Sequence, residues 1–297
     1  AAVLLLFFRG ERGAALFARG ATGAALARGQ FASAMALMLQ SGLPLDEAMD
    51  RTAELLERTP LQTQVGTCRA QMLSGVPFPR AVEAVAAELG ELLEQIDLKK
   101  GPVLVAGLGN RAITPDAIGP RVHDCTLVTR HLVGRMPEQF GHLRPVASVA
   151  AEVMGSTGLE SQELVASVCQ SIRPCCVIAV DALASRSLDR LCRTVQLADT
   201  GISPGSGVGN HRAALDEESL GVPVLAIGVP TVVEGATLAA DLLGCDRLPQ
   251  SAPGRDILVT PRDIDRQVAD LSKILGYAIS MALQPGLGLE ELELLLS

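Results

Sequence analysis

The sequence predicts an α/β fold, a mostly parallel sheet flanked by helices, with a helical segment ahead of it. Three observations carry that expectation. Short apolar runs, VLVA at 103–106, VIAV at 177–180 and VLAI at 224–227, alternate with stretches of helical period, as in strand–helix–strand units. The first run breaks into a glycine turn, GLGN at 107–110, and the second is followed at once by Asp181. Before residue 88 the apolar positions recur at spacings of three and four instead, which is a helical period.

Composition bounds the function. With 297 residues, 48% of them hydrophobic, the chain can bury one large or two ordinary cores. A net charge of −8 without a basic run argues against a nucleic-acid surface, because phosphate binding needs clustered Lys and Arg. The cysteines, Cys68, Cys125, Cys169, Cys175, Cys176, Cys192 and Cys245, are odd in number and contain no C-x-x-C, so they read as reduced core residues of a cytosolic protein. The opening run AAVLLLFF is far shorter than the roughly 20 residues of a bilayer span, and no small-residue cleavage site follows it.

In order along the chain, Phe31, Met35, Met38 and Leu39 mark a first helix, and SGLPLDEAM starts a second with Pro44, Asp46 and Glu47 in its first turn. A third helix is expected over 61–72. SGVPFPRAV then echoes the earlier entry, which suggests a small antiparallel bundle and a domain boundary between 87 and 88. Residues 88–100 finish a helix, and a strand begins after Pro102. A helix over 121–131, a polar stretch over 134–144, a strand over 146–153 and a helix from Ser161 follow. Beyond VIAV the expectation is a helix over ALASRSLDRL (182–191), a strand TVQLAD, a glycine loop GISPGSGVGNHR, a strand VPVLAIGVP and a long amphipathic helix from about Pro261, with Thr260 and Asp263 as capping groups.

The chemistry centres on Asp116, in TPDAIGP, and Asp181. In an open α/β sheet, groups at the carboxyl ends of parallel strands converge on one crevice, so both acids are expected there. Two carboxylates held close share a proton, and the ionised one can activate water while the other polarises a carbonyl. A divalent ion held by the same acids is the alternative, and the bland alternative is that each acid caps a helix. Asp199, a third acid at a strand end, reads either as a substrate or water contact or as an Asx turn into Gly201. GISPG fits the nucleophile-elbow spacing at Ser203. The next residue, Pro204, has no N–H to give an oxyanion, which argues against a serine hydrolase. Gly205, Ser206, Gly207 and Gly209 suit close approach of a peptide backbone. GLGNRA has Ile113 where a dinucleotide fingerprint needs its third glycine. Cys175 and Cys176, read as neighbours in one strand, point to opposite faces and form no mutual disulfide. Arg186 and Arg190, one turn apart on the expected helix, read as either a carboxylate clamp or a solvated face. Gly109, Asn110, Asp199, Gly205, Ser206, Gly207 and Arg186 make up the candidate substrate-binding set.

Several long blocks in order, GLGNRAITPDAIGPRV, LVTRHL, RPVASVAAEVMGSTGLE, VIAVDALASRSLDR, TVQLADTGISPGSGVGN, GVPVLAIGVPTVVE and VTPRDID, resemble the germination protease of spore-forming bacteria over residues 88–285. The resemblance implies an endopeptidase of the forespore or spore-core cytoplasm that degrades small acid-soluble spore proteins on germination. It also implies a fold similar to the hydrogenase-maturation proteases, a self-processing zymogen, a homo-oligomer and essential aspartates matching Asp116 and Asp181. No cofactor is implied, with a divalent metal as the alternative, and no direct nucleic-acid contact. Residues 25–82 resemble the F-domain of type II secretion and pilus inner-membrane proteins, which implies a membrane-proximal position for that segment and leaves a docked, inactive scaffold as the competing reading. The family's propeptide region has no counterpart here. Ser203 and Gln284 stand where the family usually has His.

Overall fold

A computed structural model describes residues 77–205, 212–245 and 256–296, together with Ser33, Ala34, Leu37, Met38 and Arg51. The remainder of the expected N-terminal bundle, and Ser206, Gly207, Gly209 and His211 of the glycine loop, lie outside the described residues. The chain divides into two compact units, Ala1–Pro77 and Phe78–Ser297. The second starts at Phe78 rather than at residue 88, and its own packing shows why.

Its first helix, α1 (Phe78–Leu93), buries Val82, Ala86, Leu89 and Leu93, the apolar stripe of AVEAVAAELGELL. Leu89 and Leu93 join the main core beside Leu275 and Ile279, and Val82 and Ala86 pack with Tyr277 and Ala278. The remaining longer helices are α2 (Ile118–Asp124), α3 (Ser161–Ile172), α4 (Gly235–Leu243), α5 (Ile264–Leu283) and α6 (Leu289–Leu296).

The strands are β1 (Val103–Leu108), β2 (Val146–Ala151), β3 (Cys176–Ser185), β4 (Gln196–Ala198), β5 (Val224–Glu234) and β6 (Leu258–Val259). They form one sheet in the order β2-β1-β3-β5-β4, with β6 on β5. The pairs β1–β2, β1–β3 and β3–β5 are parallel, and β4 and β6 run antiparallel to β5. Alternation along β1 divides the core. Val103 and Val105 face α2 and α5, while Leu104, Ala106 and Leu108 face Val165 and Cys169 of α3. A strand buried on both faces must be apolar throughout, and every residue of β1 is buried.

Four local expectations are corrected. The helix after Asp116 starts at Ile118 and stops at Asp124 instead of running from 121 to 131. Residues 182–185, expected in a helix, continue β3, because they pair with the β-branched run of β5 up to Ser185 opposite Val233. Only a short 3-10 turn follows, at Leu188–Arg190. Cys175 and Cys176 share one core cluster instead of opposite faces. Cys175 precedes the strand, and its thiol donates to the Pro102 carbonyl at 3.4 Å. Both are free thiols. Finally, neither Thr260 nor Asp263 caps α5 through its side chain. Thr260 donates to the Thr231 carbonyl at 3.1 Å, and Asp263 accepts from Gln267 at 2.7 Å.

Candidate active site

The sheet order reverses at β1, whose neighbours β2 and β3 lie on either side. Such a reversal opens a crevice at the carboxyl ends of the two central strands, since the connections leave toward opposite faces. The glycines of the first motif allow the chain to turn there. A Cβ on Gly107 would stand 2.1 Å from the Gly119 carbonyl oxygen, and one on Gly119 would stand 2.3 Å from Leu108 N and 2.5 Å from the Val180 oxygen. The start of α2 therefore lies directly on the end of β1 and on β3 at Val180. Gly109 has φ +120°, and a Cβ there would meet the Asp116 carbonyl oxygen at 2.1 Å. Only glycine fits both the conformation and the space.

From Gly109 the chain loops through Asn110 into a 3-10 turn, Thr114–Asp116. Three sets of bonds fix the loop. Asn110 N–H donates to Asp116 Oδ2 at 2.8 Å, and Asn110 Oδ1 accepts from Ala112 N–H at 2.9 Å. Arg111 bonds Asp124 and donates to the Pro120 carbonyl at 3.1 Å. Thr114 donates to Asp265 of α5 at 3.0 Å. Asp181 reaches the same crevice from β3, one residue past Val180, the last β3 residue paired with β1. It is inside the strand, not at its end as its position after VIAV suggests, and is 4% exposed.

Both acids line one cavity of about 440 Å³, with Gly109, Asn110, Leu183, Ser203, Gly205, Arg212 and Thr260 among its walls. Burial holds the Asp116 carboxyl above its ordinary range, opposed by the Asn110 N–H and by the Arg212 charge. Burial and then the charge of Asp116 push Asp181 up to about 7, opposed by the N–H of Ala182, which donates to Asp181 Oδ1 at 2.9 Å, and by Arg212. Asp181 thus feels the charge of Asp116, and burial raises both carboxyls.

Of the candidate substrate-binding residues, Gly109, Asn110 and Gly205 line the cavity. Asp199 and Arg186 are exposed and do not line it. Arg186 follows the end of β3 and Arg190 lies in the 3-10 turn, so the two do not share the expected helix. Ser206 and Gly207 are outside the described residues. Arg212, absent from the candidate set, lines the cavity as well. Ile202 and Leu215 bond each other's backbone at 2.9 and 2.8 Å, closing the base of the glycine loop, and both ends of that loop, Ser203–Gly205 and Arg212, come to the acids. A cation in a glycine-rich loop that follows two acid-bearing strands was the available signal.

Ser203 lines the cavity but is followed by a turn rather than a helix, which is not an elbow. Gln284 lies elsewhere. It is 3% exposed, accepts from Arg144 N–H at 2.9 Å and donates to the Arg144 carbonyl at 2.8 Å. It borders a separate cavity of about 760 Å³ with Pro102 and Pro145, at the amino ends of β1 and β2. Among the described residues no group of three or more His, Cys, Asp or Glu converges on a metal position. In the cavity the carboxylates of Asp116 and Asp181 are the acidic oxygens, and each already accepts a backbone N–H.

The class comes first from the fold: an open α/β protein with two acids at its switch-point crevice. Residues 78–245 match the family model described as germination protease. The germination protease of Clostridium perfringens strain SM101 is 42% identical over 239 residues, covering 70% of this chain and 73% of that protein. That of Clostridium tetani is 42% identical over 220 residues, covering 64% and 68%. That of Bacillus cytotoxicus is 47% identical over 167 residues, covering 55% and 46%. The chain belongs to the germination protease family and is a peptide hydrolase. Residues 31–97 match a second family model, type II secretion system protein F. The two matches overlap on 78–97, where α1 packs into the core of the peptidase unit. A solved NiFe hydrogenase maturation protease, HycI from Thermococcus kodakarensis KOD1, aligns to 66% of this chain and 98% of its own, with a TM-score of 0.37 and 15% identity. No helix among the described residues is long and apolar enough to cross a membrane.

Proposed function

We propose that the chain is an endopeptidase that cleaves small acid-soluble spore proteins when a spore germinates, with Asp116 and Asp181 activating water directly. The observation that carries this reading is the unequal environment of two acids on one cavity. Asp181, nearly sealed from solvent and beside the Asp116 charge, holds a proton up to about pH 7. Asp116 is half-buried and its ionised form is supported by Asn110 N–H and Arg212.

The roles follow from that difference. Ionised Asp116 takes a proton from a water held between the acids, and protonated Asp181 donates to the scissile carbonyl as the water oxygen adds to its carbon. On collapse Asp116 passes the proton it took to the leaving amine as the C–N bond breaks, and a hydroxyl on the tetrahedral carbon returns a proton to Asp181. The products are an amine and a carboxylic acid that then ionises in water. Arg212 balances the net charge of the pair. The family's zymogen form, oligomerisation and spore-core location belong to the same proposal, as does a membrane-proximal role for the N-terminal segment.

The test is cleavage of a purified small acid-soluble spore protein by the full chain, beside Asp116→Asn, Asp181→Asn and wild type with a chelator. The proposal expects cleavage by wild type, a loss of about 10³-fold or more in each variant, and no effect of the chelator. Equal rates in wild type and variants would remove the paired acids from the mechanism. Loss of activity in chelator alone would move them to the role of metal ligands.

A further inference from the structure

β3 outlasts β1. The last register pair between them is Gly107 with Val180, yet β3 stays paired with β5 as far as Ser185 opposite Val233. On the β1 side, residues 182–185 therefore have no strand partner among the described residues. The path β1 would have taken is given up at Gly109, where the chain turns away to carry Asp116. The N–H of Ala182 shows the consequence, since it bonds the neighbouring side chain at Asp181 Oδ1 instead of another strand.

This bare edge is not on an outer rim of the sheet. Asp181, Ala182, Leu183 and Ala184 all line the acid cavity, and Ala182–Ala184 are half-buried. Beside them stand apolar side chains with exposed surface, Ile113 at 53% and Leu258 at 46%. An unpaired strand edge is a template for another extended chain, and alternate side chains of an added strand point to opposite faces, where pockets select them.

We infer that the polypeptide substrate binds in extended form as an added strand along Ala182–Ser185 of β3, which runs the scissile amide past Asp181 and Asp116. This rests on the endopeptidase reading above. The backbone groups of the edge other than Ala182 N–H, which stays on Asp181 Oδ1, supply main-chain bonds that do not depend on substrate sequence, and the apolar walls around Ile113 and Leu258 take the side chains. Such a site accepts an unfolded segment and refuses a folded helix, whose backbone groups are already paired.

Two readouts test the inference on the full chain. A cleavable peptide from a small acid-soluble spore protein is made with single N-methyl amides at successive positions. The expected result is a loss in kcat/KM of about tenfold or more at alternate positions on one side of the cleaved bond, with the intervening positions within about threefold of the parent. Uniform tolerance, or uniform loss without alternation, overturns the added strand. Independently, hydrogen exchange at Ala182–Ser185 is followed in Asp181→Asn saturated with the unmodified peptide. About tenfold slower exchange there is expected, and unchanged exchange at saturation overturns the inference. If wild type does not cleave the parent peptide, the endopeptidase reading fails, while exchange still decides whether the edge takes a strand.

Discussion

The backbone N–H of Asn110 closes on Oδ2 of Asp116 at 2.8 Å, six residues further along the chain. That bond fixes one acid relative to the sheet, and the turn that permits it depends on Gly109 at φ +120°. Gly109→Ala places a methyl group 2.1 Å from the Asp116 carbonyl oxygen in a conformation that L residues avoid. The expected outcome is a loss of about 1–3 kcal/mol in unfolding free energy and a larger proportional loss in kcat/KM. Urea denaturation beside peptide hydrolysis checks it. Unchanged activity would mean that the acid is not positioned by this turn.

The proton held by Asp181 shapes the pH profile. Activity that needs one ionised and one protonated acid rises as the pair loses its first proton and falls as it loses the second. With Asp181 pushed up to about 7, the alkaline limb of kcat/KM falls near neutrality. Arg212 opposes the rise of both acids, so Arg212→Gln shifts both limbs to higher pH. A profile that stays flat from pH 5 to 9, on the order of the whole range over which carboxylates and His titrate, contradicts this assignment.

Stability carries the same signature with a defined sign. The folded pKa of Asp181 lies above its value in an unfolded chain, about 3.9. Its contribution is therefore fully present below about pH 4 and is lost as pH rises through about 7. Asp181→Asn cannot ionise and escapes that loss. Relative to wild type it gains stability between pH 4 and pH 8, by roughly a few kcal/mol, measured by denaturant unfolding at the two pH values. A difference independent of pH would place the proton elsewhere.

Gln284 separates structure from chemistry. Its buried amide holds the backbone of Arg144 at both N–H and carbonyl, away from the acid cavity. Gln284→Ala leaves the Arg144 N–H without its partner, while the Arg144 carbonyl keeps the bond from the Thr129 hydroxyl. The expected cost is about 1–3 kcal/mol for the lost N–H partner, while kcat/KM at a temperature where the variant is folded stays within about threefold. A selective loss of activity without loss of stability would link the amino end of the sheet to catalysis.

Asp116 was legible because an apolar run that breaks into glycine marks where β1 ends. Asp181 was legible because it follows its apolar run at once, although β3 continues past it to Ser185 and only its pairing with β1 stops there. The stretch ALAS at 182–185 was not. Ala and Leu favour a helix by well under 1 kcal/mol per residue, and pairing with Val229, Val232 and Val233 of β5 outweighs that preference. The strand accommodates Pro230 through a register shift, in which Leu183 pairs with Pro230 and Ala184 with Val232. That bulge depends on the partner strand, so nothing near 182 announces it. The same pairing decides Arg186, which follows the end of β3 because the expected helix does not form. Arg212 is not legible in the sequence because its place is set by the Ile202–Leu215 bridge rather than by its sequence neighbours.

The most direct measurement is a carbon-13 NMR titration of the Asp181 carboxyl in wild type and in Asp116→Asn. The account predicts that Asp181 titrates near pH 7 in wild type and at lower pH once the neighbouring charge is removed, because that charge helps to hold the proton on. An Asp181 that titrates in the ordinary aspartate range, near 4, and does not respond to Asp116→Asn would contradict it.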